Sequence, residues 1–249
     1  MKLDDIKKLH QKKYRSQFGY YLVEGEHLVA ELIKASSMSD SEQRITLYIT
    51  EDYKRWVADN SVAYEVVVLN AKQMSQISDT KTPQGIIACV PLPSALEKPN
   101  ERAPSRTLYL HEVQDPGNLG TILRSMAWFG DFRLLLSPNS VDPFNSKVVR
   151  ASMGAIFHVP LELDVSLETL TTRFSRFAYL DMHGTAITDS TFNDFDCYLF
   201  GNEARGVPRD ALKECNATPF TIEGSGAIDS LNLASAVNIS LFQLSQSKY

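Results

Sequence analysis

The sequence lacks the long apolar runs and the metal-binding spacings that assign many proteins to a class. No apolar run approaches the roughly 20 residues that a helix needs to cross a bilayer. Residues 1–8 have no apolar segment of the kind found in signal peptides. The 5 histidines and 3 cysteines are scattered without the spacing of a metal site. We therefore expect a cytoplasmic protein with reduced cysteines, no metal and no membrane partner.

The glycine-rich loops and nucleophile turns of several enzyme classes are also absent. The sequence contains neither G-x-G-x-x-G nor G-x-x-x-x-G-K-[ST], the loops that hold dinucleotides and nucleoside triphosphates. It shows no Ser or Cys placed as in a nucleophile elbow. These absences argue against a dehydrogenase, a P-loop NTPase and an enzyme with a Ser or Cys nucleophile.

Charge is distributed unevenly along the chain, whose formal net charge is −5. Residues 1–15 contain six basic and two acidic side chains, a local net charge of +4, so the remainder carries −9. A basic segment on an acidic body is compatible with contact to a phosphate backbone. It is equally compatible with a solvated helix face, and charge alone leaves both interpretations open.

Hydrophobic periodicity predicts a small α/β unit in residues 16–92. Helices are predicted over residues 26–34 and 71–77, with strands at 47–49, 65–69 and 85–90. A proline-rich polar stretch follows and is typical of a linker. We therefore predict three parts: residues 1–92, a linker over 93–105 and a second domain over 106–249.

The second domain is predicted to alternate strands with helices, which favours a three-layer α/β fold with a mainly parallel sheet. The predicted strands are residues 107–110, 132–136, 157–161, 177–180, 198–200 and 220–222. The predicted helices are residues 118–129, 145–152, 167–174 and 231–244.

Three separated stretches of this domain place Asn beside Gly or Ser, after a strand or at the mouth of a helix. The first contains Asn118 and, six residues later, Arg124. As plain structure, Asn118 would cap the helix and Arg124 would lie at the surface. As a site, Arg124 could reach back toward the edge of the sheet.

The second stretch contains Gly201 and Glu203, and the third contains Ser230 and Asn232. Gly201 follows a buried strand, where a missing side chain would let a ligand approach the backbone. Glu203 could accept bonds from backbone amides or pair with Arg124 or Arg205. Ser230 is a plausible helix cap that would leave Asn232 in the first turn. Ordinary turns and caps are the alternative in both places.

Together the stretches resemble the three signature motifs of the SpoU/TrmH family of RNA ribose 2′-O-methyltransferases, in the SPOUT superfamily. The matching residues are Asn118 and Arg124; Gly201, Asn202, Glu203 and Gly206; and Ser230, Leu231 and Asn232. Residues 148–155 are also similar to a segment common in the family, and residues 12–26 with 82–85 resemble its N-terminal substrate-binding domain. Ala204 departs from the pattern, because many relatives have Gly there, and it would need a permissive φ.

The resemblance implies a C-terminal SPOUT domain with a parallel sheet and a trefoil knot. It also implies a small N-terminal α/β domain that resembles RNA-binding ribosomal proteins. The methyl donor would be S-adenosylmethionine. The protein would be a homodimer through its C-terminal domain, with the active site completed near the subunit interface. The catalytic residues carried over are Arg124, Asn118, Glu203, Ser230 and Asn232, and the cofactor-binding residues are Gly201, Ile222 and Leu231.

The expected activity is therefore methyl transfer to a ribose 2′-hydroxyl in structured RNA. We favour ribosomal over transfer RNA because the N-terminal domain resembles that of relatives acting on the ribosome. The alternatives are a tRNA ribose methyltransferase, a non-catalytic RNA-binding or ribosome-assembly factor with the same fold, and a SPOUT enzyme that modifies a base.

Overall fold

The structure is a computed structural model that describes residues 1–36, 45–60, 64–93 and 106–246. Its contacts divide the chain into two compact units. The first comprises Met1–Lys98 and Asp142–His158, and the second comprises Pro99–Val141 and Val159–Tyr249. The predicted linker lies outside the described residues from 94 onward, and the limits of the three predicted parts stay a prediction.

The first part of the chain contains five helices and four strands within its described residues. They are α1 (Leu3–Lys8), α2 (Lys12–Phe18), β1 (Tyr20–Glu24), α3 (Glu26–Ser36), β2 (Thr46–Ile49), α4 (Lys54–Asp59), β3 (Glu65–Val68), α5 (Ala71–Ile77) and β4 (Ile86–Pro91). A single 3₁₀ turn, Glu51–Tyr53, precedes α4. Asn70 and Gln73 form a reciprocal capping box that starts α5 where the periodicity predicts it.

The remainder of the described chain alternates strands and helices. The elements are β5 (Arg106–Leu110), α6 (Pro116–Phe129), β6 (Phe132–Leu136), α7 (Ser146–Ser152), β7 (Leu161–Glu162), α8 (Leu167–Arg173), β8 (Ala178–Ala186), β9 (Cys197–Phe200), α9 (Arg209–Lys213), β10 (Thr218–Thr221) and α10 (Leu233–Gln246). Two 3₁₀ helices lie at Ala155–Phe157 and Ser190–Asp194.

The first unit is built on a four-stranded sheet of order β1-β4-β2-β3. Strand β4 pairs antiparallel with β1 and β2, and β2 pairs parallel with β3. One side of the sheet packs on α1 and α5 through a cluster that includes Ile6, Leu9, Tyr48, Met74 and Ile77.

A buried ion pair holds residues 142–158 in the first unit. The guanidinium of Arg15, only 4% exposed, donates from Nε and Nη2 to Asp142 at 2.9 and 2.5 Å, and from Nη1 to the Leu9 carbonyl at 2.8 Å. Arg15 is therefore not part of a basic surface, as the charge count of residues 1–15 had suggested. Of the six basic residues counted there, four are exposed: Lys2, Lys7, Lys12 and Lys13.

The second unit contains a six-stranded sheet of order β10-β8-β9-β5-β6-β7, in which every described pairing is parallel. Tyr109, Leu135 and Leu199 pack on one side with Leu170 of α8 and Leu212 of α9. Side chains alternate along a strand, so Leu108, Leu110 and their buried neighbours point to the other side, where α6 contacts β6 and packs against α10. The predicted parallel α/β fold is confirmed. The trefoil knot stays a prediction.

Several boundaries differ from the sequence prediction, and the differences at α6 and at residues 157–161 have identifiable reasons. Helix α6 begins at Pro116, not Asn118, because Asp115 is its cap and proline fits the first helical position. Helix α10 begins at Leu233, two residues later than predicted. The predicted strand over residues 157–161 is wrong: Gly154 has φ +94° and leads into a 3₁₀ helix, so the extended segment is only Leu161–Glu162.

In the part of the chain that the structure describes, no helix is long and apolar enough to span a membrane. Nor do three or more His, Cys, Asp or Glu side chains of that part form a group able to hold a metal ion.

Candidate active site

The three separated sequence stretches meet at the carboxyl ends of neighbouring strands. Strand β5 pairs with β9 so that Leu110 lies beside Phe200, and both strands end there. The His111 amide continues the pairing by donating to the Phe200 carbonyl at 2.9 Å. Loops that leave adjacent parallel strands at one edge form a crevice, where α/β folds place ligands.

The carboxylate of Glu203 joins the second stretch to the first. Its oxygens accept from the backbone amides of Gln114 at 3.2 and 3.3 Å and of Asp115 at 3.2 Å. One of them also accepts from Asn118 Nδ2 at 3.3 Å. Of the partners considered from sequence, Glu203 therefore takes backbone amides and not an arginine.

Asn118 in turn joins the first stretch to the third. Its Oδ1 accepts from Asn232 Nδ2 at 2.9 Å, so the side chains of Asn232, Asn118 and Glu203 form one continuous hydrogen-bonded row. Helix capping is done by other groups. Asp115 accepts from the Asn118 amide at 2.7 Å, and Asn232 accepts from the Ser235 amide at 3.3 Å. The prediction that Asn118 and Ser230 are caps is wrong, and Asn118 is thereby free to bind laterally.

Arg124 and Ser230 are not drawn into this row. Both are exposed, and neither has a hydrogen bond or ion pair with the described part of the chain. Arg124 lies four residues before Trp128 on α6, so these two side chains share a face of the helix. A guanidinium held out into solvent, with no partner among the described residues, is available to bind something else.

Exposed apolar side chains lie on α6 and α10, and one of them, Trp128, shares the helix face of Arg124. Trp128 is 84% exposed, and Ile239 and Phe242 of α10 are 40% and 53% exposed. The Phe129 and Phe242 rings contact each other with centroids 6.2 Å apart, which joins the two helices into one surface. Contiguous exposed aromatic and aliphatic groups of this kind mark interaction sites. We call Trp128, Phe129, Ile239 and Phe242 the aromatic face.

Gly201 is required by the chain itself. A Cβ at this position would lie 2.3 Å from the carbonyl carbon of Gly206 and 2.5 Å from the amide nitrogen of Val207. Residues 202 and 206 pair with each other and fold this loop back onto Gly201. The space expected for a ligand against Gly201 is therefore filled by the loop's own backbone. Ala204 has no positive φ, so the departure from Gly at that position causes no strain.

Replacing Gly201 with alanine should therefore destabilise the protein by about 1–3 kcal/mol, the usual range for overpacking. Urea unfolding measures the change in the free energy of unfolding. Gly224→Ala is the matched control, because a Cβ there meets nothing within 4 Å and its φ is not positive. Equal stability of the two variants would contradict the close approach at Gly201.

The two other predicted cofactor-binding residues flank the long exposed loop between β10 and α10. Ile222 is half-buried at its start, and Leu231 is 45% exposed near its end, with Ile228 72% exposed between them. Exposed aliphatic groups beside the Asn232–Asn118–Glu203 row suit a ligand with an apolar ring and polar ends. The residues present therefore fit a nucleoside such as the adenosine of S-adenosylmethionine.

Sequence reasoning gave no role to three groups that build the site. Gln114 and Asp115 supply the amides bound by Glu203, and Asn202, 6% exposed, folds the second loop by accepting from the amides of Ala204 and Arg205. Asp-Pro before an apolar run was the readable signal for the cap at Asp115.

Neighbouring His111 is half-buried, and burial lowers its pKa, which favours the neutral imidazole.

Comparison with known proteins places both parts of the chain. Residues 105–242 match the SpoU rRNA Methylase family, and residues 2–88 match the MRM3-like substrate binding domain. The 23S rRNA (guanosine(2553)-2′-O)-methyltransferase RlmP of Bacillus subtilis is 29% identical over 258 residues, covering 98% of this chain and 95% of the relative. Mouse mitochondrial rRNA methyltransferase 3 is 33% identical over 162 residues, covering 63% of this chain and 38% of its own.

Solved structures agree with the sequence comparison. A TrmH-family putative RNA methyltransferase from Porphyromonas gingivalis superposes with a TM-score of 0.80 at 29% identity, covering 98% of this chain and 97% of its own. An AdoMet-bound rRNA methyltransferase from Sinorhizobium meliloti superposes with a TM-score of 0.81 at 28% identity, covering 99% and 95%. With the family match spanning more than half of its length, this chain belongs to the SpoU rRNA methylase family of enzymes.

Proposed function

We propose that the protein transfers a methyl group from S-adenosylmethionine to a ribose 2′-hydroxyl of structured RNA, and that this RNA is ribosomal. The observation that carries the proposal is the row Asn232–Asn118–Glu203, which joins all three motif stretches at one edge of the parallel sheet. The Bacillus subtilis relative is named for 2′-O-methylation of a 23S rRNA guanosine, and the Sinorhizobium meliloti enzyme is solved with AdoMet. The first supports a ribosomal RNA ribose as the methyl acceptor, and the second supports S-adenosylmethionine as the methyl donor.

When bound, S-adenosylmethionine supplies an electrophilic methyl group on a positively charged sulfur. The protein's task is to align the incoming ribose oxygen with that methyl group, because positioning removes much of the barrier of a reaction between two bound groups. Ile222 and Leu231 would contact the adenosine, and Gly201 would shape the loop beside it. The row from Asn232 to Glu203 would hold the crevice in its binding shape.

Arg124 is proposed to act on the RNA. A guanidinium stays protonated in proteins and offers five donors in a planar fork. Arg124 would bind the phosphate next to the target ribose and donate toward the 2′-oxygen as negative charge develops there. Asn118, Glu203, Ser230 and Asn232 would orient the ribose. Arg124 acting as a base would require removal of a proton that guanidinium groups retain.

We further propose that the protein is a homodimer that buries the aromatic face. Trp128, 84% exposed, together with the exposed Phe242 and Ile239 of α10 is the kind of surface that a homodimer interface covers. In a two-fold dimer the same helices meet each other. Arg124, on the same face of α6, would then lie at the interface, where it could complete the site of the partner subunit.

RNA binding is assigned to residues 1–92 and methyl transfer to residues 106–249, with 93–105 as a linker. Lys2, Lys7, Lys12 and Lys13 remain exposed on the N-terminal helices and their flanks, where they would contact phosphate groups. A ribose 2′-hydroxyl distinguishes RNA from DNA at the target. The cytoplasmic location stays a prediction.

Transfer of tritium from labelled S-adenosylmethionine into RNA tests this function. Ribosomal and transfer RNA from cells that lack the gene are the substrates, and nuclease digestion shows whether the label is on ribose or base. We expect label in ribosomal RNA at a single ribose. Label in transfer RNA or on a base would correct the substrate, and no transfer to any RNA that the protein binds would identify a non-catalytic assembly factor.

A further inference from the structure

Glu112 occupies an unusual place in the first loop of the site. Its φ is +51°, in the left-handed region that residues other than glycine seldom adopt. Such a conformation persists only where the surroundings over-determine it. Hydrogen bonds of its backbone and an ion pair of its carboxylate hold position 112 in this conformation.

The backbone of Glu112 is fixed on both sides. Its amide donates to Ser137 Oγ at 2.7 Å. Its carbonyl accepts from Asn202 Nδ2 at 2.7 Å and from Gln114 Nε2 at 3.0 Å. The Asn202 bond already joins the first loop to the start of the second, directly before Glu203.

The carboxylate of Glu112 makes a second connection between the loops. It forms an ion pair with Arg205 Nη2, and the two side chains are 24% and 69% exposed. The second loop is therefore attached to Glu112 at the two residues that flank Glu203. Asn202, directly before Glu203, binds the Glu112 carbonyl, and Arg205, two residues after Glu203, binds the Glu112 carboxylate.

The bonds made by Glu203 make this attachment important. Its contacts with the Gln114 and Asp115 amides and with Asn118 measure 3.2–3.3 Å. These lie at the long end of N–H···O hydrogen bonds. A small outward shift of the second loop would therefore break these hydrogen bonds and separate Glu203 from Asn118.

We propose that Glu112 and Arg205 are positioning residues, whose ion pair holds Glu203 within hydrogen-bonding reach of the first loop. The expected effect on catalysis rests on the proposed methyl transfer, whereas the contact between the two residues does not depend on it. Because the Arg205 side chain is mostly in solvent, the pair contributes little to overall stability. Its effect is local, because it keeps the two loops that flank the crevice in a fixed arrangement.

Amide hydrogen exchange at Gln114 and Asp115, followed by NMR, tests the contact without any turnover. We expect Glu112→Gln and Arg205→Gln each to raise exchange at these amides about fivefold, as loss of an ion pair of this exposure allows. The double variant should exchange no faster than either single variant, because the two residues act as one pair. Arg205→Lys keeps the charge and should retain most of the protection.

Arg173→Gln is the matched control, because Arg173 forms an ion pair of similar exposure with Glu162 at the far edge of the sheet. It should leave exchange at Gln114 and Asp115 unchanged. Unchanged exchange in Arg205→Gln, or additive effects in the double variant, would overturn the pairing.

Turnover then separates this inference from the proposed function. In a wild-type protein that methylates RNA, Glu112→Gln and Arg205→Gln should lower kcat by up to about fivefold, the most that an ion pair of this exposure allows, with KM for RNA unchanged. Faster exchange with unaltered kcat would overturn the positioning role. A wild-type protein without methyl transfer would refute the proposed function, and the exchange data would still decide the contact.

Discussion

Replacing Arg124 with alanine is expected to lower the rate of methyl transfer by about two to three orders of magnitude, as removal of a donor aimed at developing charge does in other enzymes. Stability should change by less than about 0.5 kcal/mol, because the side chain is exposed and has no partner in the described part of the chain. Affinity for S-adenosylmethionine and the dimer should persist. Single-turnover tritium transfer measures the rate, thermal unfolding the stability, titration calorimetry the cofactor affinity and light scattering the dimer.

Two further variants show whether the geometry of the guanidinium matters. Arg124→Lys keeps the charge but loses the planar fork, and we expect it to recover only a small part of the rate. Arg173→Ala removes an exposed arginine of the same unit far from the crevice and should retain full activity. Near-wild-type turnover of Arg124→Ala would remove Arg124 from the mechanism.

The sequence was sufficient for the architecture because the architecture depends on local patterns. Alternating apolar runs predicted all but one of the strands in the second unit, and the Asn–Gln capping box defines α5 where periodicity placed it. The failure at residues 157–161 has the same origin. An apolar run there predicted a strand, whereas the left-handed conformation of Gly154 turns the chain into a 3₁₀ helix.

Contacts between distant residues were not readable in this way. Sequence placed Asn118 at a helix mouth, yet only the cap at Asp115 frees its side chain to bind Asn232 and Glu203. Gly201 was expected to admit a ligand, and its space is filled by Gly206. The side-chain partners of Asn118 lie 85 and 114 residues away, where no local pattern encodes the distance. The close approach of Gly206 to Gly201 depends on how residues 202–206 fold back, which the residue types alone do not fix.

Charge counts were misleading for a related reason. Arg15 contributes to the basic N-terminal segment in the sequence, but it is buried against Asp142, 127 residues away. Glu112 was unremarkable in sequence because its left-handed φ follows from contacts with Ser137 and Asn202. Motif resemblance named Asn118, Glu203 and Asn232, which the structure joins in one row, and the catalytic roles of the motif residues stay proposals.

Mixed dimers are expected to recover activity that neither parent variant has. If Arg124 of one subunit serves the row Asn232–Asn118–Glu203 of the other, a dimer of one Arg124→Ala and one Asn118→Ala subunit has one intact site. With two different tags the mixed dimer can be purified, and we expect about half of the wild-type rate, since one of two symmetric sites is complete. Asn118 suits this test because it is not a helix cap.

The opposite arrangement gives a different result from the same protein. If Arg124 and Asn118 of one chain form one site, both sites of the mixed dimer are defective and no activity returns. Adding Trp128→Glu to both subunits is the control, because a carboxylate in the aromatic face should prevent dimerisation and so abolish recovery. If activity recovers to half of the wild-type rate and Trp128→Glu abolishes this recovery, each active site is built from residues of both subunits. A purified mixed dimer without activity would show that Arg124 acts with the row Asn232–Asn118–Glu203 of its own subunit.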